Sequence, residues 1–200
     1  WEQTAKLIKQ RLPLWHQLDA LLEHARALGP YVELKAEVAA ITAQRSLLAE
    51  PDPVRPLLER TTDLLRQALN AKLDAYRAEY EQQMAQLDAD SNWQKLDDAQ
   101  RSELIRTHHI DAPASLDLSN ADKLADALDG CDLQRWIERA QALTTRFGAV
   151  RMDAAKLLKP NVVQVKLPQR TLNDAGEVTA WLMEVERLLL KAIEKGPVAL

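Results

Sequence analysis

The chain has 200 residues, of which 46% are hydrophobic and 28% charged, and its formal net charge is −4. This composition supports one or two folded domains, and the acidic balance argues against a general nucleic-acid binder. The single cysteine, Cys131, excludes a disulfide framework and fits a reducing cytoplasm. No apolar run approaches the ~18 residues of a membrane span, so no membrane partner is expected. Trp1 stands at once in a helical pattern, as if the chain were cut from something longer.

The first 50 residues are predicted to form two helices. Two apolar stripes keep helical spacing up to a stop at Gly29-Pro30, and a kink is expected at Pro13. The stripes are Trp1, Ala5, Ile8, Leu12, Trp15 and Leu22, and Leu14, Leu18, Leu21, Ala25 and Leu28. The second helix is marked by Leu34, Val38, Ile41 and Leu48.

A third, long helix is predicted from Pro53 to Asp90, with Asp52 as its N-cap. It lies in a stretch that has no glycine between Gly29 and Gly130. At about 1.5 Å per residue it spans roughly 55 Å, which exceeds a small core, so an antiparallel pairing with the first helix is expected. Its predicted inward residues are Leu58, Leu65, Leu69, Leu73, Tyr76, Tyr80, Met84 and Leu87. Such helices are typical of scaffolds and partner surfaces, whereas active sites favour loops.

Shorter helices are predicted between residues 91 and 158. Trp93 is expected to point inward, and N-caps are expected at Asp97 or Asp98, at Ser119 and at Asp132. The helix after Asp132 has the inward set Leu133, Trp136, Ile137, Ala140, Leu143, Phe147 and Val150.

After Pro160 the period changes from helix to strand. Val163, Val165 and Leu167 alternate with polar residues, which predicts a half-buried strand ending at Pro168. An amphipathic helix with the inward set Val178, Trp181, Leu182, Val185, Leu188, Leu189 and Ile193 follows. Residues 198–200 are predicted to form a second strand, and a direct pairing across this helix requires the two strands to be parallel.

The predicted fold class is therefore mainly α, a long antiparallel helical hairpin or bundle followed by a small C-terminal α/β unit of strand, helix and strand. The expected divisions are a long-helix bundle or coiled-coil region over residues 1–110 and a connection with a short helix over residues 111–130. A C-terminal helix and the strand-helix-strand unit occupy residues 131–200.

No motif in the sequence names a reaction. His108 and His109, followed by Asp111, form the only cluster that suggests a metal. Adjacent helical residues point about 100° apart, so a surface helix end, where histidine suits the dipole, is the favoured interpretation. Cys131 has no CxxC partner, and the P-loop pattern is absent. No catalytic residue, metal or cofactor is predicted, and a small helical enzyme that uses the two histidines is the least favoured hypothesis.

One short segment is strongly basic. Residues 146–170 carry a net charge of +5, which leaves −9 for the rest of the chain. The cations of this basic strip are Arg146, Arg151, Lys156, Lys159, Lys166 and Arg170. The strip is a candidate for contact with phosphates, with an acidic partner, or with acidic helices of the same chain. Aromatic interleaving is poor, because Phe147 belongs to the inward set.

The last third also carries a family resemblance. The segment Gln164–Leu172, with sequence QVKLPQRTL, is followed by Val178, by Trp181-Leu182 and by the ending Gly196-Pro-Val198. This segment resembles the extreme C-terminus of the large ATPases of bacterial BREX phage-defence systems, the BrxC/PglY family. Trp93-Gln-Lys-Leu96 and the helical region before it are compatible, although the helical remainder matches mainly in character.

The resemblance implies a cytoplasmic bacterial protein that restricts phage DNA together with other BREX components, with its nucleotide-binding domain far upstream. No catalytic residue transfers, because the P-loop is absent from this chain. The expected function is a non-catalytic helical interaction or scaffold module of such an ATPase. Its expected partners are other proteins of the defence complex or a second copy. The alternative is a nucleic-acid-binding module that uses the basic strip, with DNA binding expected to be weak.

Overall fold

The computed structural model of the protein describes residues 1–158, 163–196 and 198–199. These residues form seven α-helices and two short strands. In chain order they are α1 (Glu2–His24), α2 (Tyr31–Ala43), α3 (Arg55–Asp88), α4 (Asp98–Thr107), α5 (Ala121–Gly130), α6 (Leu133–Leu158), β1 (Val163–Gln164), α7 (Ala175–Ile193) and β2 (Val198–Ala199). The prediction of a mainly α fold is confirmed.

Short polar side chains cap the starts of α4, α5, α6 and α7, as capping chemistry favours, whereas α1 and α2 begin without a side-chain cap. Asp97 forms a capping box at the start of α4, and Asp132 accepts a backbone hydrogen bond from the first turn of α6 at 2.8 Å. Both caps agree with the sequence prediction. The cap of α5 differs, because Asn120 rather than Ser119 accepts the backbone hydrogen bond. The backbone nitrogen of Ser119 instead donates to Asp117 at 3.0 Å, which places Ser119 in the turn before the helix.

The chain forms two compact units, and each unit is built from two separate stretches. Unit 1 contains Trp1–Tyr80 and Pro113–Gln141, and unit 2 contains Glu81–Ala112 and Ala142–Leu200. This division differs from the predicted segments 1–110, 111–130 and 131–200. The difference arises because the two longest helices, α3 and α6, each contribute residues to both units.

In unit 1, α1 and α2 form an antiparallel hairpin. Ile8, near the start of α1, lines one groove with Ile41 and Leu48, at and beyond the end of α2. Residues later in α1 lie beside residues later in the region of α3, as in a parallel pair. Arg11 contacts Asp52, which precedes α3, and Leu14, three residues further along α1, lies beside the first turns of α3. The expected antiparallel pairing of the first and third helices is therefore corrected. Two chain reversals return α3 to the direction of α1, and α2 takes the antiparallel place.

The core of unit 1 lies where α1, α3 and α5 converge. Gln17 of α1 donates to Asp122 of α5 at 2.8 Å, and His24 lies 3.1 Å from Asp129, the next-to-last residue of α5. The fully buried side chains of these three helices include Leu18, Leu21, Leu65, Leu69, Leu124 and Leu128, and α2 contributes Leu34. α1 continues through Pro13 as one helix.

The predicted inward faces of α3 and α6 are largely confirmed. In α3, five of the eight predicted residues are buried, namely Leu58, Leu65, Leu69, Tyr76 and Leu87. Leu73, Tyr80 and Met84 are half-buried. In α6, the buried residues are Leu133, Trp136, Leu143, Phe147 and Val150, and Ile137 and Ala140 are half-buried.

The C-terminal part of unit 2 contains the predicted strand-helix-strand crossover. β1 pairs with β2 in parallel, with Val163 opposite Val198, and α7 connects them. The first strand is shorter than predicted, because β1 ends at Gln164 rather than continuing to Leu167. The described register pairs Val163 with Val198 and Gln164 with Ala199. Residue 200 of the predicted second strand lies outside the described residues.

Candidate interaction surface

The cations of the basic strip do not form one surface. Arg146, Arg151 and Lys156 lie on α6 at intervals of five residues, so each points about 140° away from the one before it. Lys166 and Arg170 are exposed on the segment that follows β1. Lys159 lies outside the described residues.

Most of these cations are engaged by unit 2 itself. Arg146 donates to the carbonyl oxygen of His109 at 2.6 Å, and Arg151 donates to the side-chain oxygen of Gln86 at 3.1 Å. Lys156 donates to the neighbouring Asp153 at 2.8 Å, and Arg170 lies 3.6 Å from Glu184. The structure therefore favours the interpretation in which the strip contacts its own chain.

The two adjacent histidines lie at a helix end, as the favoured interpretation predicts. His108 is the C-cap of α4, and its Nε2 atom lies 2.9 Å from Asp153 Oδ2. His109 follows in the left-handed backbone region, with φ of 51°. The hydrogen bond from Lys156, with a further one from His108, lowers the pKa of the Asp153 carboxyl. Within the described ranges, no three His, Cys, Asp or Glu side chains come together as a metal site.

The most distinctive surface of unit 2 is an apolar face on α7. We call it the outer face of α7, and it consists of Val178, Leu182, Met183, Leu190 and Ile193, whose exposed fractions lie between 40% and 65%. At about 100° per residue these five side chains share an arc of roughly 140°. The predicted inward positions of Val178, Leu182 and Ile193 are therefore wrong, and of all α7 residues only Ala192 is buried.

The opposite side of α7 is anchored to the segment that precedes the helix. Trp181 donates from its indole nitrogen to the carbonyl oxygen of Pro168 at 2.7 Å. Trp181 also lines an open cavity of about 1010 Å³ with Val165, Leu167 and Leu172. The prediction that Trp181 covers this segment agrees with these contacts, although its ring is half-buried rather than part of the core. Because one side of α7 is held in this way, the outer face is left toward solvent.

A single acidic residue interrupts the outer face. Glu186 lies four residues from both Leu182 and Leu190, so it projects from the middle of the same arc. It is exposed, and no described cation pairs with it. Large exposed apolar patches are typical of sites of protein or membrane interaction.

Unit 1 has an apolar groove of its own. The groove between α1 and the end of α2 has a volume of about 520 Å³, and we call it the α1–α2 groove. Its lining residues are Ile8, Trp15, Ile41, Thr42, Arg45, Leu47 and Leu48. Arg45 is exposed at the groove, has a φ of 53° and forms no ion pair with the part of the chain that the structure describes.

The groove depends on a residue that sequence reasoning missed. Arg11 is buried and donates to the carbonyl oxygens of Leu47 and Ala49, which holds the α2–α3 connection against α1. The burial of Arg11 could have been predicted from its spacing relative to the apolar residues of α1. Arg11 lies three residues before Leu14 and seven before Leu18, on the inner stripe of α1, and a cation at such a position needs buried acceptors.

None of the described helices has the length and apolarity needed to cross a membrane. Comparison with protein-family models, with curated proteins and with solved structures finds no match to this chain.

Proposed function

We propose that this chain is a non-catalytic protein-interaction module whose contact surface is the outer face of α7. The observation that carries the proposal is the exposure of five aliphatic side chains on one side of a helix whose other side is anchored. Burying such side chains against a partner yields about 25 cal/mol per Å² of apolar surface. Interaction surfaces of this kind use an amphipathic helix, with anchors at spacings such as i, i+4 and i+7.

The resemblance of residues 164–198 to the C-terminus of BREX ATPases supports a role as a helical module of a bacterial phage-defence complex. The partners would then be other protein components of that complex or a second copy of the chain. No reaction is assigned to this chain, since its sequence has no P-loop and nucleotide chemistry would belong to the upstream domain of such an ATPase.

Binding of purified components tests the proposal. Each protein of a BREX-type system is offered separately to the immobilised chain, with self-association measured in parallel. Leu182→Glu and Leu190→Glu, at positions 54% and 58% exposed, are expected to abolish binding and leave the melting temperature unchanged. Leu157→Glu is the matched control, because Leu157 is an exposed leucine of α6 outside the outer face. Binding that survives both α7 variants, or a wild-type chain with no partner at all, contradicts the proposal.

A further inference from the structure

The outer face of α7 and the α1–α2 groove have complementary chemistry. The face is a convex row of aliphatic side chains with one unpaired anion, Glu186, at its middle. The groove is a concave apolar surface with one cation, Arg45, that has no acidic partner among the described residues. Helix-in-groove recognition joins these two kinds of surface, and a single charged pair inside an apolar contact sets its register and partner choice.

We infer that the outer face of α7 in one copy of this chain docks into the α1–α2 groove of a second copy, with Glu186 paired to Arg45. This inference rests on the proposed function, because it names the occupant of the same face. Leu182 and Leu190 flank Glu186 by one helical turn on either side, and they enter the groove beside Ile8, Ile41 and Leu48.

Pairing of two α7 helices with each other is disfavoured by charge. A two-fold contact is isologous, so equivalent residues at its centre meet one another. Glu186 lies at the middle of the outer face and would meet its own copy, which places two anions together without a cation between them. Such like-charge contacts cost several kcal/mol.

A lipid surface is disfavoured by the same residue. Interfacial helices carry Lys and Arg around an apolar face, which attract anionic headgroups. The outer face of α7 instead has an acid within it. An occupant with an apolar surface and a fixed cation fits better, and the α1–α2 groove has both.

The contact joins two different surfaces of the chain. It closes as a two-fold pair if each copy gives its outer face to the groove of the other, and it otherwise forms a larger head-to-tail ring or an open chain. Each of these forms has a mass that rises with concentration, so the oligomeric state is a direct readout.

Charge reversal tests the pairing. Sedimentation is measured for the wild-type chain, Arg45→Glu, Glu186→Arg, the double variant and an equimolar mixture of the two single variants. Each single variant is expected to weaken association by about tenfold or more, because it brings like charges together. The double variant restores it. The mixture also restores it, because each surface of one variant then meets an opposite charge on the other. Lys191→Glu, a reversal on α7 about 140° from Glu186, is the control and is expected to have no effect.

The outcomes separate this inference from the proposed function. A wild-type chain that stays monomeric while a BREX component binds it through Leu182 and Leu190 overturns the inference and leaves the proposed function standing. Association that is unchanged by Arg45→Glu, or not rescued by mixing, overturns the inference as well. Self-association that survives Leu190→Glu lies on another surface and counts against both.

Discussion

Arg11 Nη1 lies 2.7 Å from the carbonyl oxygen of Ala49 and 2.9 Å from that of Leu47. The side chain is 4% exposed, and the same guanidinium also contacts Glu50 and Asp52. The planar fork of arginine satisfies several acceptors at once. One buried cation of α1 therefore contacts four residues of the connection between α2 and α3.

Arg11→Ala is expected to lower the free energy of unfolding by about 3 kcal/mol, because it leaves buried acceptors without their donor. Urea denaturation measures the loss. Arg60→Ala is the control, since Arg60 pairs with Glu37 across half-exposed surface and should cost less than about 1 kcal/mol. Equal losses of unfolding free energy in the two variants would show that the burial of Arg11 does not increase its contribution to stability.

Trp136 packs edge-to-face on Tyr76, with ring centres 5.5 Å apart, and Arg139 lies 4.7 Å above its ring. Trp136→Ala is expected to cost about 3–5 kcal/mol of stability. Its buried indole nitrogen has no hydrogen-bond acceptor in the described structure. Trp136→Phe should therefore cost only about 1–2 kcal/mol, because removal of the unbonded N–H offsets part of the cavity. Thermal unfolding compares the two, and a larger loss for the Phe variant would contradict this account.

The hydrogen bonds from Lys156 and His108 lower the pKa of Asp153 below its ordinary value of 3.8. The folded-state pKa is then lower than the unfolded-state pKa, so this contribution to stability is complete above pH 3.8 and is lost as the pH falls through the folded-state pKa. Acid titration of wild type and Asp153→Asn, followed by circular dichroism, should show a shallower loss of stability below pH 4 in the variant. Asp19→Asn, at an exposed position of α1, should follow the wild type. If the stability of wild type and of Asp153→Asn falls identically below pH 4, the hydrogen bonds to Asp153 do not contribute to the pH dependence of folding.

Trp181 holds α7 to the segment that precedes the helix through one hydrogen bond, to the carbonyl oxygen of Pro168. Trp181→Phe removes the N–H donor together with part of the indole ring and should cost about 1–2 kcal/mol. Trp181→Ala also removes the remaining ring contacts, but because the ring is half-buried the total should stay below the ~3–5 kcal/mol of a buried aromatic. Hydrogen exchange should show faster exchange over residues 163–172 in both variants, with the core of α3 unchanged. Protection that is unaltered over that segment would mean that another contact holds it.

Binding of duplex DNA is expected to be weak, since most strip cations already have acceptors within unit 2. Fluorescence anisotropy at low and physiological salt should show no binding tighter than about 10⁻⁴ M at the higher salt. Lys166→Glu with Arg170→Glu should change little. If the strip does contact about four phosphates, the affinity should fall with a log–log salt slope near −3.6. Submicromolar binding that resists salt would promote the nucleic-acid alternative over the interaction module.

Periodicity predicted the inner faces of α3 and α6 because each has one apolar stripe among polar residues. Each helix has only one apolar side that can face a core. Leu65, Leu69 and Phe147 lie on these sides, and all three are fully buried. In α7 the apolar residues occupy most of the circumference. Spacing alone could not decide which side is covered, and the deciding contact is made by Trp181 with Pro168, a residue in an irregular segment.

The predicted antiparallel pairing of the first and third helices was wrong for a different reason. Helix length was used to pair the first helix with the third, but direction along a bundle depends on the number of chain reversals between the two helices. Arg11 was missed because residue type was weighted above position. A charged residue on the inner stripe of an amphipathic helix is the more informative observation, and Arg11 lies on the same stripe as Leu14 and Leu18.

The anchoring of residues 47–52 by Arg11 also bears on how variants of this protein would behave in a genetic screen. Leu47 and Leu48 line the α1–α2 groove, yet Arg11 fixes the chain that presents them from within the fold. A substitution at Arg11 would therefore imitate a mutation of the contact surface without touching any partner. Suppressors of such a substitution would be expected inside the connection between α2 and α3, and not on the surface of the bound protein.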